Sequence, residues 1–192
     1  MDIIAHYIYK LSGLPKNQVI GTGTAIDSAR LQNMIAQTVN VDPRSVHAYS
    51  MGEHGDSQMV PWSTVTIAGK PFYDVIADNK ELVGDVDLDE LVYRTTQEGW
   101  EIFNRKGTTY YGIATACVGV IKAILNDENR IIPVSTLLEG EYGERDVYAG
   151  VPTVLNRSGA YDVLEIHMTP GELARFKEST RVIREYTDRI MK

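Results

Sequence analysis

RIIPVSTLLEGEYGERDVYAGVPTVLNRSGAYDVLEIH, residues 130–167, decides the fold class. Three apolar runs lie in it: RIIPVSTLL from Arg130, VPTVLNR from Val151 and YDVLEIH from Tyr161. The last two are separated by Ser158-Gly159, a turn signal that predicts a hairpin. Strands that follow one another without a crossover helix pair antiparallel, because a parallel pair needs a long connection. Helical patterns are grouped before and after these strands instead of alternating with them, and the chain therefore reads as α+β.

Beyond the strands, Thr169-Pro170-Gly171-Glu172 is a capping box with Pro at the first helical position, opening a C-terminal helix. Before them, Ile113, Cys117, Val120, Ile121, Ile124 and Leu125 predict a helix after Gly107. Leu88, Leu91, Val92, Thr95, Ile102 and Phe103 predict another, weakened at Gly99, and the acidic stretch 74–90 reads as loop-like. MVPWSTVTIAG (59–69) and VDPRSVHAYSM (41–51) each read as strand-bearing. A helix from about Thr24 should turn Ile26, Ala29, Met34 and Ile35 inward. QVIGTGT (18–24) reads as a short strand running into glycines, after a first helix over residues 3–11 that Gly13 and Pro15 close.

Hydrophobic residues make up 43% of the 192, enough for a folded core and too many for a disordered chain. A formal charge of −7 without a local basic cluster disfavours nucleic acid and anionic membrane partners. No apolar run approaches the roughly 18 residues of a membrane span. The start MDIIAHYIYKLSG carries Asp2, His6 and Lys10 and lacks the form of a secretory leader. The lone Cys117 sits in an apolar run as a small core residue, so a reducing cytoplasmic location is expected.

Three motifs carry chemistry. VIGTGTAID (19–27) has the outline of a dinucleotide fingerprint, but Ile26 stands where Gly or Ala is needed, so Gly21 and Gly23 read as a sharp turn. Asp27 and Arg30 share a helix face, among apolar neighbours that would leave them costly to bury unless partnered. MGEHGDSQ (51–58) places His54 between glycines and carboxylates just after a strand-like run. A surface turn is the plain reading. A carboxylate on one ring nitrogen would instead fix the tautomer and free the other nitrogen for proton exchange. No second histidine stands at ligand spacing for His54 with Glu53 or Asp56, so no metal is expected. No G-x-S-x-G nucleophile elbow serves Ser57 or Ser63.

Taken in order, IDSAR (26–30), VDPRSVHAY (41–49), GEHGDS (52–57) and KGTTYYGIA (106–114) resemble the C-terminal half of the lactate/malate dehydrogenase family of NAD-dependent L-2-hydroxyacid dehydrogenases. The resemblance implies that residues 1–22 close a nucleotide-binding Rossmann domain and 23–192 form the substrate-binding domain, the rest of the Rossmann half being absent. It implies His54 as proton donor and acceptor, Asp27 as its partner and Arg30 as a two-pronged clamp on the substrate carboxylate, with Ser28, Ala29 and Thr109 around the substrate. Ile113 would touch the nicotinamide of NAD. Gly52 and Gly55 would give the histidine's loop its backbone freedom. Asp2 would remain from a motif whose substrate-contacting Asn is missing.

The implied reaction is pyruvate–lactate interconversion in a cytoplasmic homo-oligomer, dimer or tetramer, with the 192 residues alone inactive. Two departures qualify it. His47 matches one half of a fructose 1,6-bisphosphate site whose Arg is here Gln32, so activation should be weak or absent. Gly99 and Trp100 replace the Ala and Tyr usual in the lactate branch and resemble an L-2-hydroxyisocaproate branch with a broader 2-keto acid range. The rival from another class is a non-catalytic fragment kept as an oligomerising module.

Overall fold

The computed structural model describes residues 1–190. In chain order its elements are α1 (Asp2–Ser12), α2 (Ala25–Val39), β1 (Val46–His47), β2 (Thr66–Ile67), β3 (Lys70–Pro71), α3 (Phe72–Asp78), α4 (Lys80–Val83), α5 (Leu88–Lys106), α6 (Tyr110–Leu125), β4 (Arg130–Glu139), β5 (Arg145–Asn156), β6 (Gly159–Val163) and α7 (Pro170–Ile190).

The α+β expectation holds. β4, β5 and β6 form one antiparallel sheet in sequential order, and β1, β2 and β3 form a second, much smaller one. The β4–β5 hairpin pairs Arg130 with Leu155 through Leu138 with Val147, then bulges between Leu138 and Glu139. Its strands read as nearly unbroken apolar runs because both faces are covered. Val147, Ala149 and Val151 pack with Phe176 and Ile183 of α7. On the opposite face Tyr148 and Leu137 meet Ala5 of α1, while farther along the first face Val134 and Leu155 meet Val120 and Ala123 of α6. A separate core joins α2 and α5 through Leu31, Ile35 and Leu91, with Trp62 stacked on Phe72 at 5.7 Å. The capping box closes as expected: the Thr169 amide donates to Glu172 Oε2 at 2.8 Å and the Glu172 amide to Thr169 Oγ1 at 3.3 Å.

Several local expectations are corrected. QVIGTGT is not a strand: it leaves a 3-10 turn at Lys16–Gln18 and makes a single bridge, Gly21 to Ser135 of β4, before the chain turns into α2. MVPWSTVTIAG contributes only two strand residues, Pro61 opening a 3-10 turn that occupies Trp62–Thr64. The acidic stretch is largely helical, α3 starting at a buried Phe72 that anchors it in the core. Gly99 does not interrupt α5, whose N-terminus is capped by the Asp87 carboxylate on the amides of Asp89 and Glu90. In α2 the inward face is Ile26, Leu31, Ile35 and Ala36, while Ala29 is exposed and Met34 half-buried. Cys117 is half-buried, because α6 sinks only Val120 and Ala123.

Candidate active site

The loop carrying His54 is an excursion between two single-residue bridges. Met51 pairs with Met59, and Gly52 exchanges backbone hydrogen bonds of 2.9 and 2.8 Å with Gly150 in the middle of β5. Gly52 has φ +89, and a Cβ there would strike the Ser179 side chain on α7, so this glycine is required twice over. Gly55 differs from expectation: its φ is not in the left-handed region, and its lack of a Cβ makes room for the Glu53 carboxylate instead. That carboxylate accepts the Ser57 hydroxyl at 2.5 Å and the Ser57 amide at 3.2 Å, curling the loop back on itself.

Two long-range acceptors then hold consecutive amides. Ser179 Oγ accepts the Glu53 N–H at 2.8 Å, and Asp2 Oδ2, from the first turn of α1, accepts the His54 N–H at 3.0 Å. The histidine's backbone is thereby tied to elements at both ends of the described chain.

Asp27 and Arg30 reach the same place from α2. Asp27 is 2% exposed and divides its oxygens between two cationic side chains: Oδ2 lies 2.6 Å from His54 Nδ1, and Oδ1 accepts Arg30 Nη1 at 3.2 Å. Donation of the ring Nδ1–H to Asp27 raises the His54 pKa above its ordinary 6.5, burial opposes it, and the charges of Asp27 and Asp2 add to the rise. With Nδ1 engaged, Nε2 has no hydrogen-bond partner among the described residues. Nor does Arg30 Nη2. A buried acid thus orients a proton carrier and an anion-binding fork side by side.

All three line a cavity of about 690 Å³, together with Thr109, Ile113 and Met1. Its far wall is α5, where Thr96, Gly99, Trp100 and Phe103 occupy one helical face. Thr96 and Phe103 were not singled out as site residues, although their spacing with Gly99 and Trp100 (i, i+3, i+4, i+7) was a readable signal. Trp100 and Phe103 meet edge-to-face at 6.1 Å. Gly99 faces the guanidinium, and a Cβ there would sit 3.4 Å from Arg30 Nη1.

Ser28 and Ala29 are not brought to this cavity. Ser28 is buried with its hydroxyl accepting the Ser50 amide at 2.8 Å, and both residues border a neighbouring groove of about 1120 Å³. His47 and Gln32 border that groove too, with Gln32 Nε2 donating to Ala48 O at 3.0 Å. The fingerprint-like glycines serve packing: a Cβ on Gly21 would come 2.9 Å from Ser135 Cβ, and one on Gly23 3.1 Å from the Ser135 amide. Among the described residues no cluster of three His, Cys, Asp or Glu side chains could hold a metal ion, and no helix is long and apolar enough to cross a membrane.

L-lactate dehydrogenase 3 of Bacillus cereus is 50% identical over 186 residues, 97% of this chain and 59% of the relative. L-lactate dehydrogenase 1 of Bifidobacterium longum is 46% identical over 191 residues, 100% of this chain and 60% of the relative. The crystal structure of minor L-lactate dehydrogenase from Enterococcus mundtii in its ligands-bound form superposes with a TM-score of 0.93 at 40% identity, covering 98% of this chain and 60% of that one. The chain therefore spans about three fifths of the length of the relatives it matches. Because the family model for the lactate/malate dehydrogenase α/β C-terminal domain covers residues 24–192, the chain belongs to the lactate/malate dehydrogenase family and carries that domain.

Proposed function

We propose that this chain is the substrate-binding part of an NAD-dependent L-lactate dehydrogenase, with residues 1–22 belonging to the end of the nucleotide-binding domain and 23–192 to the substrate domain. The observation that carries the reading is one buried carboxylate, Asp27, gripping both His54 and Arg30 on the wall of one cavity. Arg30 binds the carboxylate of a small 2-keto acid through its free guanidinium edge. The imidazolium of His54, held by Asp27, hydrogen-bonds the ketone oxygen and delivers its Nε2 proton there as the alcohol forms. Asp27 stabilises the charged ring before transfer and keeps the tautomer correct afterwards. Thr109 closes the pocket beside the substrate. The residues present fit the nicotinamide end of NAD: Ile113, on the cavity wall, offers an apolar side chain to the ring. When bound, the cofactor supplies the hydride. The function is that of a cytoplasmic enzyme. Its response to fructose 1,6-bisphosphate is weak or absent, since Gln32 brings no charge beside His47 and its amide is engaged by Ala48.

The test joins this chain behind the nucleotide-binding part of the Bacillus cereus relative. The chimaera should oxidise NADH with pyruvate, and His54→Gln should lower kcat by about a hundredfold or more, as loss of a general acid does. The chain alone should not turn over. A chimaera that assembles and binds NADH yet reduces no 2-keto acid refutes the reading.

A second reading is favoured by Gly99: the space next to Arg30 and the aromatic wall of Trp100 and Phe103 suit longer substrate side chains. Gly99→Ala should then depress turnover of branched 2-keto acids relative to pyruvate by about tenfold, the usual discrimination of one methyl group. An unchanged ratio of the two kcat/KM values discards this alternative.

A further inference from the structure

We propose that Asp2 is a positioning residue for His54, its carboxylate both holding the loop through the His54 amide and adding a second negative charge to the one Asp27 provides. The inference deepens the dehydrogenase reading and rests on it for its catalytic meaning, although its geometry stands independently.

Asp2 lies in the first turn of α1, where a carboxylate is favoured by the helix dipole. An acid needed only for that purpose would point to solvent. Asp2 instead is 2% exposed, with Oδ2 on the His54 amide at 3.0 Å and Oδ1 buried without any hydrogen-bond partner. A buried carboxylate with an unmatched oxygen is costly unless a positive charge offsets it. The imidazolium of His54 is such a charge. Its other neighbours are Asp27, the Arg30 guanidinium on Asp27, the Met1 amino group, and the loop's own Glu53 and Asp56 on the cavity wall. The Met1 amino group opposes the rise in the His54 pKa, and Asp2 contributes to it. Ser179 provides a control within the same clamp: it holds the adjacent Glu53 amide at 2.8 Å, is fully buried, and carries no charge.

The test is histidine NMR titration of the chain itself, with backbone amide hydrogen exchange read alongside. Asp2→Asn keeps an oxygen for the His54 amide and removes the charge. Its expected result is a downward shift of the His54 midpoint with the His54 amide still protected. Asp2→Ala should show the same downward shift and lose the amide protection. Ser179→Ala should deprotect Glu53 and leave the midpoint where it was. An Asp2→Asn chain that folds with an unshifted His54 overturns the proposal, as does a His54 amide in the unmodified chain that exchanges freely while its neighbours in β5 are protected. Asp27→Asn separates the two claims: an unshifted midpoint there defeats the His54–Asp27 pairing behind the enzymatic reading, whatever Asp2 does.

Discussion

At the scale of single residues, the unit that matters is an acid between two cations. Asp27 makes the ring of His54 a stronger base and leaves its outer nitrogen facing the cavity, so the pH dependence follows from one hydrogen bond of 2.6 Å. His54 has a raised pKa, the Asp27 hydrogen bond being the main cause. On the proposed reading, reduction of a keto acid by the chimaera with the nucleotide-binding part needs the imidazolium, so its rate should fall as pH rises through that raised value. In Asp27→Asn the fall should begin at a lower pH. The same shift has a signature in folding. A pKa above its unfolded value of 6.5 gives a contribution to stability that is complete below 6.5 and disappears as pH rises through the folded value. Urea denaturation near pH 6 and near pH 9 should therefore show a larger loss in the unmodified chain than in Asp27→Asn. Equal losses in the two proteins would mean that the pair does not exist in solution.

At the scale of elements, the helices and the long hairpin were legible because their signals are local. The starts of α2 and α7, the Gly107 stop and the Ser158-Gly159 turn all rest on a few adjacent residues. What sequence could not show was which way a periodic face would turn. The apolar stripe of α1, Ile4, Ile8 and Leu11, is exposed, and the helix buries Asp2, Ala5 and His6 instead. Asp2 was therefore legible as a motif remnant and not as a hydrogen-bond acceptor, since its partner lies 52 positions away. In the site, the meeting of Asp27, Arg30 and His54 on one cavity was foreseeable from chemistry and resemblance, whereas Ser28 and Ala29, their neighbours on α2, border the adjoining groove because adjacency on a helix says nothing about side.

The inward turn of α1 has its own pH signature. His6 is 3% exposed, neither ring nitrogen has a hydrogen-bond partner, and Nε2 lies 3.4 Å from Asp146, which Lys10 also holds at 2.9 Å. Burial lowers its pKa; Asp146 pulls the other way, and Lys10 and Arg184 assist burial. A lowered pKa means that the unfolded chain binds the proton first, so stability should decline as pH falls below 6.5. His6→Gln should flatten that decline in urea titrations between about pH 7.5 and 5.5. A slope identical to that of the unmodified chain would show that His6 protonates freely where it stands.

At the scale of the whole molecule, the two exposed apolar faces are the feature to be explained. On α6, Val118, Ile121 and Leu125 are 49, 51 and 72% exposed, and on α1 Leu11 is 69% exposed. Scattered apolar residues on a surface are ordinary, but several at helical spacing along one element form a patch of the kind that marks an interface. A net charge of −7 disfavours indiscriminate clumping, which leaves specific self-association as the expected behaviour. Sedimentation at increasing concentration should show a dimer or tetramer. Ile121→Lys combined with Leu125→Lys should shift it toward monomer without reducing helix content, because neither side chain is part of the buried core. The paired charges act through the interface alone, so a species that stays assembled in the double variant would place the contact on another face. A chain monomeric at every concentration would remove self-association from its properties while leaving the Asp27 constellation untouched, since His54, Asp27 and Arg30 all come from one subunit.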